Sequence, residues 1–387
     1  MCNEEFISLH REEDIRPLAL RKAPEGVDML WCLQQIEGWQ LARRKLPRWA
    51  AVDGLWWPPR LSMEQCSSEL TAEYKAEVAE RVVADRDMMT DLTGGFGVDF
   101  CHLAPLFRRA EYVERQEVLC DVVRHNLPLL GIENTEVRMT PSGKDCSLIY
   151  IDPARRDDAG RKVYAIEDCT PDVAALQDEL LHRAPCVMVK LSPMLDITQA
   201  LRTLHHVSEV HVVSVGGECK ELLFVMMRDA DAAPVYHCVN LGTSDEPFVC
   251  DGMRQPVATA VPREGQYLYE PNASIMKAGV QDMLAASHGL VKLHPKSNLF
   301  VADARLELPA RAFVISEVCD FSKQSLRRLR QEHPQANITL RNFPSTVNDL
   351  RRRLKIGEGG DTYIFATTLA DGSHALLVCR KFVTFPL

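Results

Sequence analysis

The sequence contains no CxxC pair and no close cluster of cysteine and histidine, although it holds 13 cysteines. That excludes the usual zinc modules and supplies no disulfide framework, so reduced, mostly buried thiols and no metal site are expected. None of the 12 histidines has the spacing of a metal pair or a catalytic triad. No stretch approaches 18 apolar residues, so no membrane-spanning helix is expected. The longest apolar runs, around 187–189 and 222–227, are strand-sized. The opening MCNEEFISLHREEDIRP is polar and acidic and lacks the apolar segment of a secretory signal, so a cytoplasmic protein is expected. Tryptophan is absent beyond Trp57.

What is present fits a large globular protein. Apolar residues make up 46% of 387 positions and charged residues 26%, enough for two or three domains with substantial cores. The net charge of −9 is unevenly spread, for from Phe321 onward 11 Lys/Arg stand against 5 Asp/Glu. An acidic body with a basic arm points to a polyanionic partner, the competing interpretation being a solvated helix face.

Residues 1–60 read as helical and end at LWWPPR, where two prolines stop any helix. SSELTAEYKAEVAERVV predicts a helix capped by Ser67 or Ser68, with Leu70, Tyr74, Val78 and Val82 as its apolar stripe. Strands and helices then alternate from MMTDL to DITQALRTLHHV, one helix being CTPDVAALQDELLHRA with Thr170 as its cap. A hairpin, EVHVVSVGGECKELLFVMM, follows. Repeated β-α-β units predict a parallel sheet covered on both faces, the hairpin adding an antiparallel strand at one edge. The rhythm changes after Asp229. The expected domains are 1–60 (helical), 61–230 (α/β) and 231–387 (α+β).

Chemistry concentrates in the α/β segment. In DLTGGFGVDF the glycines Gly94, Gly95 and Gly97 miss the G-x-G-x-x-G spacing of a dinucleotide turn, and no Lys-Ser/Thr follows as in a P-loop. Asp91, at the strand end, would repel a pyrophosphate but attract an ammonium. S-adenosylmethionine carries an ammonium and a sulfonium and no phosphate. Glu114 ends the next predicted strand, 23 residues on, where a carboxylate can hold ribose hydroxyls. LIYIDPARRD brings Asp152-Pro153 to the carboxyl edge of the sheet, where open parallel sheets bind ligands. A carboxylate and rigid backbone carbonyls there suit an exocyclic amine. Surface acids and tight turns are the competing interpretation.

Together these residues resemble the class I S-adenosylmethionine-dependent methyltransferases, with DLTGGFGVD as cofactor turn, Glu114 as ribose acid and DPAR as catalytic loop. More narrowly, EQCSSELTAEYKA, DPARRD, KLSPMLD, ECKELL and RNFPSTVNDLRRRLKIGEGGDTY resemble bacterial members with a THUMP-like C-terminal domain. The resemblance implies a Rossmann-like class I methyltransferase sheet, mostly parallel with one antiparallel edge strand. It also implies an N-terminal helical region and an α+β THUMP-like domain from about residue 312. It implies S-adenosyl-L-methionine as cofactor, held by Asp91, Thr93, Gly94, Gly95, Gly97 and Glu114 with Thr71 as a further contact. Asp152, Pro153 and Arg155 would be catalytic, and RNA (tRNA or rRNA) the substrate. The short link TPSGKDCS leaves no acid for the adenine amine, so that contact falls to Thr140 or a backbone amide.

DPARRD also resembles the matching motif of RNA 5-methyluridine enzymes, whose attacking cysteine ends the next strand. Here that position reads VKLSPML, with Lys190 and Ser192; Cys186 begins the strand and Cys169 lies in a loop. Nitrogen methylation needs no protein nucleophile and is favoured, on guanine or adenine, with arginine planes available for stacking. Lys190 is open to three interpretations: partner of Asp152, substrate contact, or surface lysine. In the basic arm Arg327, Arg330, Arg351, Arg352, Arg353 and Lys355 are expected to meet RNA phosphates. The alternative from another class is an RNA-binding protein with an idle methyltransferase fold. A nicotinamide oxidoreductase is disfavoured by the glycine spacing.

Overall fold

The computed structural model describes residues 1–155, 166–253 and 255–382, the side chains of Arg155 and Asp168 excepted. Two compact units are present, Met1–Val210 with Glu221–Ala233, and His211–Lys220 with Pro234–Leu387.

The first unit begins with helices, the longest being α1 (Met29–Lys45), capped by Asp28, whose carboxylate accepts the Trp31 N–H at 3.1 Å. Gly38 sits in its interior because a Cβ there would lie 2.2 Å from the Trp57 Cβ. A helix interior tolerates glycine at a cost of about 1 kcal/mol, and here the return is close packing of an indole. Helix α2 (Glu69–Val82) starts at Ser68, whose hydroxyl accepts the Thr71 N–H. Its buried face holds Thr71, Ala72, Lys75, Val78 and Ala79, whereas Leu70 is exposed. The expected stripe is thus rotated, because a lysine with buried carboxylate partners takes a core position.

The sheet strands are β1 (Met88–Asp91), β2 (Arg109–Val113), β3 (Thr135–Arg138), β4 (Leu148–Ile151), β5 (Cys186–Leu191), β6 (Val207–Val215) and β7 (Glu218–Met227). They run in the order β6-β7-β5-β4-β1-β2-β3. Strands β1 to β5 pair in parallel, and β7 enters antiparallel to β5. The antiparallel strand therefore lies inside β6. The Gly216–Gly217 turn, both residues left-handed, folds it back into the gap between β5 and β6. Helices α3 (Val98–Leu103), α4 (Glu117–Leu129), α5 (Val173–Arg183) and α6 (Ile197–Thr203) connect the strands. Asp172, not Thr170, caps α5, its carboxylate accepting the Ala175 N–H at 3.1 Å. Every residue of β1 and β4 is buried, so their carboxyl ends are fixed in position by core packing.

In the second unit β8 (Tyr267–Pro271), β9 (Ala310–Asp320), β10 (Asn337–Arg341), β11 (Thr362–Thr368) and β12 (His374–Lys381) run in the order β8-β9-β12-β11-β10. Only β10 and β11 pair in parallel among these, joined across helix α8 (Val347–Leu354). Helix α7 (Lys323–Glu332) and α8 cover one face, burying Leu329, Leu350 and Leu354 against Ile338, Ile364 and Leu376. The SIMKAGVQDMLAAS segment forms two helices, Ala273–Ala278 and Gln281–Ser287, broken where Gly279 turns left-handed.

Candidate active site

Strand β1 delivers Asp91 to the start of the glycine turn. Its carboxylate accepts the Thr93 N–H at 2.9 Å, and only 1% of the residue is exposed. The turn closes through Gly94 N–H to the Val113 carbonyl (2.9 Å) and Gly97 N–H to the Gly94 carbonyl (2.8 Å). A Cβ at Gly94 would lie 2.1 Å from the Tyr112 ring, and the Tyr112 hydroxyl donates to the Gly95 carbonyl. No larger residue fits that position without breaking the turn.

Glu114, just beyond β2, is 8% exposed, and backbone amides orient it. One carboxylate oxygen accepts the Gly95 N–H at 3.0 Å and the other the Gln116 N–H at 2.9 Å. Asp152 follows β4, and its own N–H donates to Thr93 Oγ1 at 2.6 Å. Asp91, Thr93, Gly94, Gly95, Gly97, Glu114 and Asp152 thus lie in one hydrogen-bonded neighbourhood. Pro153 is buried beside Asp152; Arg155 forms a short antiparallel ladder with Cys169, and its side chain lies outside the described residues. Cys169 is nearer to the Asp152 loop than its sequence position suggests, yet it is only 3% exposed. Thr71 is buried in the first turn of α2, its hydroxyl donating to the Ser68 carbonyl, and Thr140 is exposed beyond β3.

Sequence reasoning missed the charge cluster behind these residues. Lys75, fully buried, places its ammonium 2.6 Å from Glu221, 3.2 Å from Asp99 and 3.2 Å from Ser67 Oγ. Asp99 accepts the hydroxyls of Ser67 and Tyr150, both at 2.7 Å. Lys190 Nζ lies 2.5 Å from Asp152, 3.3 Å from Ser67 Oγ and 3.7 Å from Asp99. Lys190 is therefore the partner of Asp152. The quoted segments EQCSSELTAEYKA and ECKELL hold Ser67, Lys75 and Glu221, but nothing in their spacing joins them.

The acids of this cluster differ in their ionisation: Asp99, Asp152 and Glu221 lie beside Lys75 and Lys190, with Asp91 near them. Burial opposes the charge on Asp99, but Lys75 and Lys190 outweigh it and hold the carboxyl well below its usual range. For Glu221 burial prevails and raises the carboxyl. Burial pushes Asp91 up to about 8; the Thr93 N–H and Lys190 work against the rise, and the Asp99 and Asp152 carboxylates add to it.

A pH dependence follows. The unfolded chain ionises Asp91 near 3.8, whereas the folded chain keeps the proton to about pH 8. The folded state therefore binds the extra proton, and its stability falls as pH rises through that window and levels above it. The slope from this group is at most about 1.4 kcal/mol per pH unit. Asp91→Asn should remove that slope, so the variant gains on the wild type between pH 5 and 8 in urea unfolding without cofactor. A difference that stays constant with pH would show that the carboxyl is not perturbed.

On the second unit, Lys323, Arg327 and Arg330 are exposed along α7 and make no ion pair among the described residues. On α8, Arg352 pairs with Asp349, Arg351 reaches Glu358 (3.9 Å) and Arg353 lies over the Phe321 ring. Lys355 closes α8 in a left-handed conformation.

Comparison with known proteins extends over the whole chain. A protein of Porphyromonas gingivalis W83, whose crystal structure bears a provisional description as a methyltransferase, is 34% identical. It superposes with a TM-score of 0.86, covering 98% of either chain. An uncharacterised S-adenosylmethionine-dependent methyltransferase of Mycobacterium tuberculosis is 27% identical over 328 residues, 82% of this chain and 87% of that protein. Family profiles described as THUMP domain-like and as a ferredoxin-like domain match residues 310–381 and 267–309.

Proposed function

We propose, for a chain that belongs to the S-adenosylmethionine-dependent methyltransferases with a THUMP-like C-terminal domain, that the methyl group goes to a base nitrogen in RNA. The observation that carries this is the bond from Asp152 N–H to Thr93 Oγ1, 2.6 Å long. It ties the main chain that carries the Asp152 carboxylate to the glycine turn, so acceptor and methyl donor would be positioned by one sheet edge.

The residues fit the cofactor. Burial holds a proton on Asp91, and a cation brought beside it would favour its charged form. Asp91 and the turn of Thr93, Gly94, Gly95 and Gly97 would hold the methionine end, Thr71 would flank it, and Glu114 would take the ribose hydroxyls. When bound, S-adenosylmethionine supplies an electrophilic methyl on a cationic sulfur. Asp152 and the Pro153 carbonyl then orient the accepting nitrogen, with Arg155 beside them. No cysteine ends β5, where Lys190 stands, which supports nitrogen over carbon as the acceptor.

Glu114→Ala should weaken S-adenosylmethionine binding by about tenfold to a hundredfold, or roughly 1.5–3 kcal/mol, by loss of charge-assisted bonds. Calorimetry with S-adenosylhomocysteine checks this, and an unchanged Kd would remove Glu114 from the cofactor site.

The basic helices α7 and α8 support RNA as the polyanion. Lys323, Arg327, Arg330, Arg352 and Arg353 offer exposed cations whose phosphate contacts are not sequence-specific. Arg351→Ala, Arg352→Ala and Arg353→Ala together should weaken RNA binding and flatten its logarithmic salt dependence, leaving cofactor binding intact. Filter binding across a salt series tests this; wild-type behaviour would assign the helices another purpose. The reaction itself is tested by labelled methyl transfer to total RNA, DNA and protein in parallel. Label confined to protein or DNA would overturn the RNA assignment.

A further inference from the structure

We propose that the nitrogen methylated is a lactam N–H, the N1 of guanine or the N3 of uracil, with Asp152 taking its proton and Lys190 holding the neighbouring carbonyl oxygen. This rests on base methylation in RNA and narrows it to one chemical edge. Lys190 Nζ stands 2.5 Å from Asp152 Oδ2, with Ser67 Oγ at 3.3 Å and Asp99 at 3.7 Å behind it. Asp152 Oδ1 makes no hydrogen bond among the described residues, and the side chain is 36% exposed. Lys190 is 12% exposed, and an ammonium has three donors to distribute. The sheet edge therefore presents an acceptor and a cationic donor side by side. A lactam presents the complement, N–H beside C=O.

Electrostatics choose between the nitrogens of a base. An exocyclic amine attacks as a neutral group and becomes positive as the methyl arrives. An ammonium at that edge opposes the developing charge. A lactam nitrogen is a poor nucleophile until it loses its proton, and much of the negative charge then resides on the carbonyl oxygen. There an ammonium in a water-poor site is strongly stabilising. Burial disfavours charge on Lys190, but the carboxylates of Asp152, Asp99 and Glu221 outweigh it and hold the ammonium charged.

The step balances. The N–H bond breaks and its proton passes to Asp152. The nitrogen–methyl bond forms as the methyl–sulfur bond breaks, its electron pair returning to sulfur as a neutral thioether. Asp152 then loses the proton to water once the product leaves. Ser67 and Asp99 keep Lys190 at the edge through this cycle, since each contacts the ammonium from the protein side.

The test is product identity. Total RNA from cells lacking the protein is methylated by the full chain, digested to nucleosides and resolved by mass spectrometry. 1-Methylguanosine or 3-methyluridine is expected, and which appears distinguishes the two bases. N2-methylguanosine, N6-methyladenosine or a 5-methylpyrimidine would overturn the lactam assignment while leaving RNA methylation standing. Absence of any transfer to RNA would remove both. Lys190→Met should lower kcat by about 10²–10³-fold, and the residual rate should climb more steeply with pH as the lactam ionises unaided. Lys190→Arg should restore part of the rate. Unchanged cofactor affinity shows that the variants are folded. A folded Lys190→Met protein with the wild-type pH profile would leave Lys190 a structural role and overturn its part in the reaction.

Discussion

Asp152→Ala should reduce methyl transfer by about 10²–10⁴-fold while the Kd for S-adenosylmethionine stays within several-fold of wild type. The separation is expected because the side chain and main chain of Asp152 have different partners. The carboxylate meets Lys190, whereas the backbone N–H meets Thr93 of the glycine turn. Alanine keeps the second bond and loses the first. Lys190 retains Asp99 and Ser67, so the cluster does not lose its remaining contacts. Asp152→Asn is the sharper variant, since it preserves shape and an acceptor oxygen but not a base that can take a proton. It should be nearly as impaired. Single-turnover transfer together with calorimetry measures both quantities, and full turnover in either variant would place the chemistry elsewhere.

Lys75→Met should destabilise the protein by about 3–5 kcal/mol, the range seen when one partner of a buried ion pair is removed. Methionine fills nearly the same volume, so the loss reports charge rather than a cavity. Lys75, on α2, is fully buried against the start of α3 and β7, with Glu221 at 2.6 Å and Asp99 at 3.2 Å. Without the ammonium, two buried carboxylates face each other. Glu221, whose carboxyl burial already raises, is the one expected to take a proton in response. The deficit should therefore grow with rising pH and shrink as pH falls. Adding Glu221→Gln should recover part of it, because both charges then leave together. Urea unfolding at two pH values decides; a loss below about 1 kcal/mol would mean that water or rearrangement compensates the cluster.

The visible parts of the site were those carried by local pattern. Asp91, Glu114 and Asp152 each end an apolar strand, and the alternation of strands and helices set them on one sheet edge. The glycine turn declared itself by density alone. The cluster behind them did not, because Ser67 and Lys75 come from one segment and Asp99, Tyr150, Lys190 and Glu221 from four others. Side-chain period says nothing about which distant charges meet. Lys75 was hidden further because a lysine in a helix ordinarily marks the solvent side, and the apolar stripe of α2 was misplaced for that reason. In TAVPREGQYLYEPN, whose sequence suits a linker or a crossover, Tyr267–Pro271 pairs with Ala310–Val314 as a strand. Proline and charge around it concealed the period. The excess of bases after Phe321 was also less free than counting suggested. Arg328 pairs with Glu317 and Arg341 with Glu270, acids that precede the counted stretch.

Between Gly95 and Gly97 the glycine turn carries Phe96, which is 3% exposed. Its ring meets Trp49 edge-on at 5.3 Å and Trp57 at 6.0 Å. Residues far upstream, Trp49 and Trp57, thus form the wall behind the glycine turn. All five tryptophans of the chain fall at or before Trp57, while the second unit has none. Indole emission in this protein is accordingly a local optical signal. It originates wholly within residues 31–57, and two of its five sources lie against the ring at the centre of the turn. Light absorbed selectively by tryptophan therefore monitors the wall of the glycine turn and leaves the second unit dark.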